Sequence, residues 1–357
     1  MISRIDRYIA IHILSAIAVV LLIIVGLMGI SLYLDELGEV DKHYTSGAAF
    51  RYTLLSLPGL AYQLLPLSAL VGTLIGMGVL ASNSELTVMR AAGVSMMRLI
   101  LSVAKPISLI AFIALLASQL GVPESQQLAR AIKAEAHSES GRVNNGDGGW
   151  YRQSGEYIHV SAISPDGQIL GVTRHQFDTE LRLKQTSFAK TGYYSNERQG
   201  WLLEDVELTT LISDQRIEKD RLAEMFWSTE LTEEMLRVIL VPPVELPISG
   251  LSFYSSYLDD QGVDSTSYEL ALWNKLLQPF SIIALVMIGV AFIFGPLRGV
   301  TVGQRIITGV VIGLVFKFSQ DLLAPASQVL GFSPLLAALL PIAISFAIAL
   351  WLLSRVR

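Results

Sequence analysis

The chain has 357 residues, of which 52% are apolar and 16% charged, whereas about 25% of the residues of an ordinary soluble domain are charged. This composition excludes an ordinary soluble protein, and a net charge of −5 at pH 7 argues against nucleic-acid binding. The absence of cysteine is compatible with an oxidising compartment but does not require one.

Six apolar stretches are each long enough to cross about 30 Å of hydrocarbon, which takes roughly 20 helical residues. The first is not a signal peptide, because it is too long and is followed by Asp35 and Glu36 instead of a cleavage site of small residues. Three stretches precede and three follow a long polar segment. The predicted spans lie at about 9–34, 53–81, 99–122, 270–294, 306–324 and 334–353.

The basic residues of the short connections predict the orientation of the chain, since cytoplasmic connections carry the excess of Lys and Arg. The other side carries only Lys42 and Arg51 in its short loops, diluted by nearby acidic residues. We therefore expect both termini in the cytoplasm and the long segment between spans three and four outside. The basic residues on the predicted cytoplasmic side are Arg4, Arg7, Arg90, Arg98, Arg298, Arg305, Arg355 and Arg357.

From about 143 to 247 the chain consists of short segments in which apolar and polar residues alternate, the pattern of half-buried strands. Pro165-Asp166-Gly167 is a typical turn between two of them. Three prolines, at 242, 243 and 247, end this region, and Leu251–Leu258 then has the spacing of a short amphipathic helix. The predicted strands are Glu156–Ile163, Ile169–Phe177, about Leu181–Tyr194, Trp201–Leu211 and Met225–Thr229.

The sequence thus predicts a membrane α-helical protein with six transmembrane helices and an inserted all-β domain, built as a sandwich or jelly roll. Three regions are expected. Residues 1–122 hold spans one to three and a cytoplasmic helix at about 82–93, residues 123–265 hold the jelly-roll-like domain with flanking helical connectors, and residues 266–357 hold spans four to six.

Motifs for intrinsic catalysis are missing from the sequence. It has no G-x-x-x-x-G-K-[ST] for binding nucleotide phosphates, no G-x-S-x-G, and no His, Asp and Glu cluster with metal-ligand spacing. We therefore predict that the chain is not an enzyme and has no catalytic residue, no metal site and no bound cofactor. If ATP drives its function, a partner must hydrolyse it.

The cytoplasmic connection after span two has the features of a separate short helix that contacts a partner protein. It ends at Gly93, a residue suited to the left-handed position after a helix. The candidate contact residues are Glu85, Leu86, Met89 and Arg90, and Val88 is also available. A purely structural role for Glu85 remains open, because Ser82-x-x-Glu85 fits a capping box in which Glu85 bonds back to the backbone of Ser82.

The segment Ser84-Glu85-Leu86-Thr87-Val88-Met89-Arg90-Ala91-Ala92-Gly93 resembles the coupling-helix signature of the lipopolysaccharide export permeases, the LptF/LptG family. The similarity covers essentially the whole chain and favours the LptG branch, with an LptF-type subunit as the alternative. Its further motifs are Asp6-Arg7-Tyr8, Leu246-Pro247-Ile248-Ser249-Gly250-Leu251, Phe292-Ile293-Phe294-Gly295-Pro296-Leu297-Arg298, Gly303, Arg305 and Thr308-Gly309.

This resemblance implies half of an ABC exporter in the bacterial inner membrane, with the β domain in the periplasm. LptG pairs with LptF, and a dimer of the ATPase LptB binds their coupling helices, so ATP and Mg are expected at the partner. The complex would extract lipopolysaccharide from the inner membrane and pass it to LptC and, through it, to LptA.

Spans one and five are expected to form a lateral gate, which places Gly26, Gly29 and Lys317 at or near it; the two glycines also suit simple close packing of helices. Lys317 either pairs with Asp321 one turn later, extends towards the outer face, or meets an anionic group. In some relatives basic residues at the outer end of span one meet the lipid phosphates. Here that end is acidic, which leaves Lys42, Arg51 and Lys317 as candidates.

Apolar side chains of the β domain are candidates for a lipid path, although they also suit an ordinary dry core. These residues are Ile158, Val160, Ile169 and Val172. Two functions of other classes stay open. One is a lipid-modifying enzyme using the carboxylates at Asp35, Glu36 and Glu39, and the other is a membrane-anchored scaffold or sensor.

Overall fold

The computed structural model describes residues 4–139, 148–153, 156–164, 166–178, 182–213, 216–229, 231–260, 264–295 and 300–355. Six of its helices are long and apolar enough to cross a membrane, which confirms the predicted spans. They are α1 (Arg4–Leu37), α2 (Ser46–Ser82), α4 (Met96–Leu120), α8 (Thr266–Phe294), α9 (Val302–Leu330) and α10 (Pro334–Ser354).

Four shorter helices accompany the spans. Helix α3 (Glu85–Ala91) lies in the connection after α2, and α5 (Val122–Glu139) follows α4. Helix α6 (Glu233–Leu240) and a 3₁₀ turn (Pro243–Glu245) follow the last strand. Helix α7 (Ile248–Asp260) contains the predicted amphipathic segment and ends shortly before α8.

The chain divides into two compact units. The first, here called the helical unit, comprises Met1–Met28, Gly59–Gly121 and Pro247–Arg357. The second, here called the β unit, comprises Gly29–Pro58 and Val122–Leu246. The β unit therefore includes the second part of α1 and the first part of α2, as well as the segment between the third and fourth spans.

Glycines allow close helix crossings on α2 in the helical unit. A Cβ on Gly72 would lie 2.5 Å from the Cα of Ile17 in α1, and one on Gly76 would lie 2.9 Å from the carbonyl oxygen of His12. Helix α9 approaches α2 in the same way, since a Cβ on Gly309 would lie 2.7 Å from Leu74. Small residues of this kind let apolar helices pack where no water drives them together.

The β unit contains one six-stranded antiparallel sheet in which each strand pairs with the next along the chain. The indole of Trp201 is buried and donates a hydrogen bond to the carbonyl oxygen of Leu231, 2.7 Å away. The strands are β1 (Gly149–Gln153), β2 (Glu156–Ile163), β3 (Ile169–Phe177), β4 (Leu183–Ser195), β5 (Gly200–Ser213) and β6 (Arg216–Ser228).

The inserted sheet confirms the predicted fold class, and all five predicted strands are present. The order of the described strands is that of a meander, so none of their pairs makes the Greek-key crossover of a strict jelly roll. Two differences from the prediction exceed a shift of one or two residues at a strand end. Strand β1 was not predicted, and β6 begins nine residues before Met225, because residues 217–224 are exposed on both faces and show no apolar alternation.

Candidate functional site

Helix α3 is a separate short helix with defined ends, as expected for the coupling helix. It follows Ser84, which has a left-handed backbone at φ 62°. At its other end the NH of Val94 bonds to the carbonyl of Met89 and the NH of Gly93 bonds to that of Arg90. This is a Schellman motif, and the φ of +90° at Gly93 agrees with the position predicted for it.

The capping box predicted as the structural role of Glu85 is wrong. Glu85 accepts a hydrogen bond from the hydroxyl of Tyr8 in α1, 2.8 Å from Oε2, and a longer one from the amide of Asn83, 3.4 Å from Oε1. The hydroxyl of Ser82 instead donates to the carbonyl of Gly78. The capping box does not form because Ser82 is the last residue of α2, so its backbone NH lies within that helix and not at the start of α3.

The four predicted coupling residues point in different directions. Leu86 is only 4% exposed and packs in the core of the helical unit, and Met89 is partly buried against the same core. Arg90 is exposed, and Glu85 is half-buried. Val88, which was also expected to be available, is 65% exposed, so a partner can reach this apolar side chain.

A cavity of about 370 Å³ lies between α3 and the end of α8. Its walls combine apolar side chains with the polar residues Thr87 and Arg90. It is lined by Ala81, Leu86, Thr87, Arg90, Ala91, Ile293 and Phe294. The Pro-Leu-Arg of the motif that begins at Phe292 falls on residues 296–298, which lie outside the described residues.

Two buried charged residues near the same end of the helical unit were not predicted as site residues. Asp6 in α1 is 2% exposed; it accepts a hydrogen bond from Ser102 (2.6 Å) and forms an ion pair with Lys105 (2.7 Å). Arg305 in α9 is 1% exposed and donates to the carbonyl of Gly78 (2.7 Å) and to the hydroxyl of Ser82 (3.1 Å). The sequence signalled both residues only through the family resemblance.

The predicted gate residues lie in different surroundings. A Cβ on Gly26 would meet no atom within 4 Å, so close packing within the chain does not explain this glycine. A Cβ on Gly29 would lie 2.7 Å from Leu57, which fits the packing interpretation. Lys317 pairs with Asp321 at 2.7 Å, as one alternative expected, and both side chains are more than half exposed.

The acidic residues at and just after the C-terminal end of α1 have structural partners in the β unit. Lys133 of α5 lies 3.1 Å from a carboxylate oxygen of Glu36 and 2.9 Å from one of Glu39. The hydroxyl of Tyr44 also donates a hydrogen bond to Glu36. Burial, which is the larger cause, and this hydrogen bond both raise the pKa of Tyr44 above its ordinary value. Asp41 accepts hydrogen bonds from the backbone NH groups of His43 and Tyr44, in the loop that precedes α2.

Lys42 and Arg51 are the basic residues left exposed near this end. Neither forms an ion pair within the part of the chain that the structure describes. By contrast, Lys133 is held between two carboxylates and also lies 5.3 Å from the centre of the ring of Tyr52. Lys42 and Arg51 are thus free to meet an anionic ligand without first breaking an ion pair.

The four candidates for a lipid path in the β domain are all buried in the sheet. Val160 and Val172 lie directly opposite each other on β2 and β3, and Ile169 pairs with Ile163. All four candidates are at most 1% exposed. By the register of the sheet, Ile158, Val160 and Val172 lie on one face and Ile169 lies on the other. All four are closed to solvent, so a lipid would have to open the β unit to reach them.

These features together define a polytopic membrane protein with six spans, an antiparallel β domain inserted in the chain between the third and fourth spans, and a short helix between the second and third spans. The family model described as "Lipopolysaccharide export system permease LptF/LptG" matches residues 7–355. The chain belongs to this family, and it is accordingly a permease subunit of the inner membrane and not an enzyme by itself.

Two relatives show the extent of the similarity. The lipopolysaccharide export system permease protein LptG of Escherichia coli K12 is 34% identical over 351 residues, which cover 98% of each chain. The protein of the same name from Haemophilus influenzae is 33% identical over 358 residues, which cover 100% of each chain.

Proposed function

We propose that the chain is the LptG-type half of the exporter and that it works with an LptF permease and an LptB ATPase dimer. ATP and Mg would bind to the ATPase, and this chain would extract lipopolysaccharide and pass it to LptC and LptA. The observation that carries the proposal is α3: an isolated helix anchored to the core by Leu86 while Val88 and Arg90 face outward. The two relatives named LptG favour this branch over an LptF-type subunit.

The proposed orientation places α3 and both termini in the cytoplasm and the β unit in the periplasm. The distribution of basic residues supports it, because Arg90, Arg98 and Arg305 all lie near the α3 end of the helical unit. In this orientation the exposed residues of α3 meet the compartment that contains ATP.

The exporter function is consistent with spans whose apolar surface is largely unburied within this chain. Moving acyl chains into water costs about 0.8 kcal/mol for each CH₂ group, so a lipid with several chains must stay in apolar surroundings throughout. Only 22% of an apolar 18-residue stretch of α1 and 17% of one of α9 are buried within this chain, against 67% for α2. We infer that these two spans line the entry for lipid and contact the second permease.

An enzyme that modifies lipid is less well supported. Its candidate carboxylates at the outer end of α1 included Glu36 and Glu39, and both form ion pairs with the same ammonium group, that of Lys133. Paired carboxylates of this kind stabilise a fold and are poorly placed to exchange protons with a substrate.

The proposal is tested by release of lipopolysaccharide from proteoliposomes that contain the complete complex. Glu85→Ala is expected to lower ATP-dependent release at least tenfold, because α3 would lose its charge towards the ATPase and its bond to Tyr8. Glu124→Ala is the matched control, since Glu124 is an exposed carboxylate in the first turn of α5. Isolation of the chain without an ATPase, together with unchanged release by Glu85→Ala, would refute the exporter function.

The lipid path is tested separately by photocrosslinking of lipopolysaccharide. A crosslinker at Lys42 probes the loop between α1 and α2, one at Lys317 probes the middle of α9, and one at Ile158 probes the β unit. We expect labelling at Ile158 only when ATP is hydrolysed, because that side chain is buried in the closed core. Equal labelling without ATP would show that entry into the β unit is not coupled to the ATPase.

A further inference from the structure

The two least covered spans of the chain are both bonded to one short segment. Helices α1 and α9 have little of their apolar surface buried within the chain. Each nevertheless places one side chain on the segment that comprises residues 78–85, here called the joint segment, which ends α2 and begins α3. These contacts join parts of the chain that are 77 and 227 residues apart.

The contact of α9 with the joint segment is a buried guanidinium. Nη1 of Arg305 donates to the carbonyl of Gly78 and to the hydroxyl of Ser82, which itself donates to the same carbonyl at 2.7 Å. Gly78 provides the space, because a Cβ at this position would lie 2.5 Å from Nη1. A buried charge with bonded polar partners is costly to pull away from them. The start of α9 therefore moves together with the end of α2.

The contact of α1 with the joint segment is the bond from Tyr8 to Glu85, the first residue of α3. Tyr8 does not hold α1 in place alone. Asp6 binds Ser102 and Lys105 of α4, and the crossing at Gly72 fixes α1 against α2. Loss of the phenol hydroxyl would therefore leave the packing of α1 intact and remove a direct bond between α1 and α3.

We propose that Tyr8 and Arg305 are positioning residues that transmit a displacement of α3 to α1 and α9 together. A helix is stiff along its axis, so a shift of the joint segment moves the bonded ends of both spans and changes the opening between them. This inference rests on the proposed function, since it assumes that an ATPase moves α3. Glu85 then has two tasks: it faces the ATPase, and it holds α1.

The test compares two pairs of variants in the reconstituted complex of both permeases and the ATPase. Tyr8→Phe removes one contact and is matched by Tyr33→Phe in the same helix, whose hydroxyl makes no hydrogen bond among the described residues. Gly78→Ala displaces the guanidinium of Arg305 and is matched by Gly303→Ala in α9, where a Cβ meets no atom within 4 Å. ATP hydrolysis and lipopolysaccharide release are measured in the same proteoliposomes, and co-purification reports assembly.

We expect all four variants to assemble with the ATPase. Release per ATP hydrolysed should fall roughly fivefold in Tyr8→Phe, the factor that corresponds to one hydrogen bond, and at least as far in Gly78→Ala. Both controls should keep the ratio of the unaltered protein. A purely structural role would lower hydrolysis and release in proportion and leave their ratio unchanged.

Two results would overturn the inference while the proposed function stands. The first is an unchanged ratio of release to ATP hydrolysis in Tyr8→Phe and Gly78→Ala. The second is failure of these variants to assemble, which would make the contacts structural. A complex of the unaltered chain that releases no lipopolysaccharide with ATP would instead refute the proposed function, and the inference with it.

Discussion

Charged side chains in the poorly hydrated parts of this chain have specific partners. Asp6 binds a hydroxyl and an ammonium group, Arg305 binds a carbonyl and a hydroxyl, and Lys133 lies between two carboxylates. Such pairing is expected, because an unpaired charge in these surroundings is costly. These three buried charges therefore mark places where segments distant in sequence are held together.

Removal of the ammonium group of Lys133 should destabilise the β unit. In Lys133→Met the carboxylate of Glu36 stays buried without its cation, and we expect the free energy of unfolding to fall by about 3 kcal/mol. The measurement is denaturant unfolding of the purified full-length chain in micelles. The double variant Lys133→Met, Glu36→Gln should recover part of the loss, because it removes the stranded charge.

Arg221→Met is the control for this prediction. Arg221 also forms an ion pair, with Glu207, but both side chains are more than half exposed, and water replaces the lost partner at little cost. We expect no measurable change in stability. Equal losses in the free energy of unfolding in Lys133→Met and Arg221→Met would show that the contribution of an ion pair to stability does not depend on its burial.

Sequence spacing predicted the local pairs of side chains and missed the distant ones. Lys317 and Asp321 are one helical turn apart, so their ion pair follows from helical geometry. Lys133 and Glu36 are 97 residues apart, and Tyr8 and Glu85 are 77 apart. Such contacts depend on how helices cross, which a single sequence does not specify.

At the scale of elements, the length of the apolar stretches predicted every span, but the helices extend beyond these stretches. Helix α1 begins at Arg4 and α2 at Ser46, several residues before their apolar cores. In α1 this extension includes Asp6, whose carboxylate has partners on α4 within the protein. Strand β6 illustrates the opposite case, since its exposed first half lacks the alternation that identifies a strand.

The helix crossing at Gly72 gives a prediction at this scale. In Gly72→Ala the new Cβ would lie 2.5 Å from backbone of α1, so the two helices must separate, and we expect a loss of about 2 kcal/mol by the overpacking mechanism. Gly26→Ala should not destabilise the chain, because its Cβ meets nothing within 4 Å and Ala favours a helix over Gly. The same unfolding measurement compares them, and a larger loss in Gly26→Ala would contradict the crossing described here.

At the scale of the whole molecule, the orientation of the chain in the membrane decides which side each unit serves. The sequence supports it through basic residues alone, which set the direction of insertion statistically and not through a contact in the folded protein. An experiment on topology is therefore independent of every distance in the structure. The absence of cysteine makes such an experiment direct, because a single introduced thiol is the only site for a maleimide.

Three single-cysteine variants test the orientation: Glu197→Cys in the exposed turn between β4 and β5, Val88→Cys in α3, and Arg355→Cys after α10. In spheroplasts, a membrane-impermeant maleimide should label only Glu197→Cys, since the β unit is expected outside the inner membrane. The other two should be labelled only after permeabilisation. Labelling of Val88→Cys in intact spheroplasts would place α3 on the side without ATP, and no cytoplasmic ATPase could then move it.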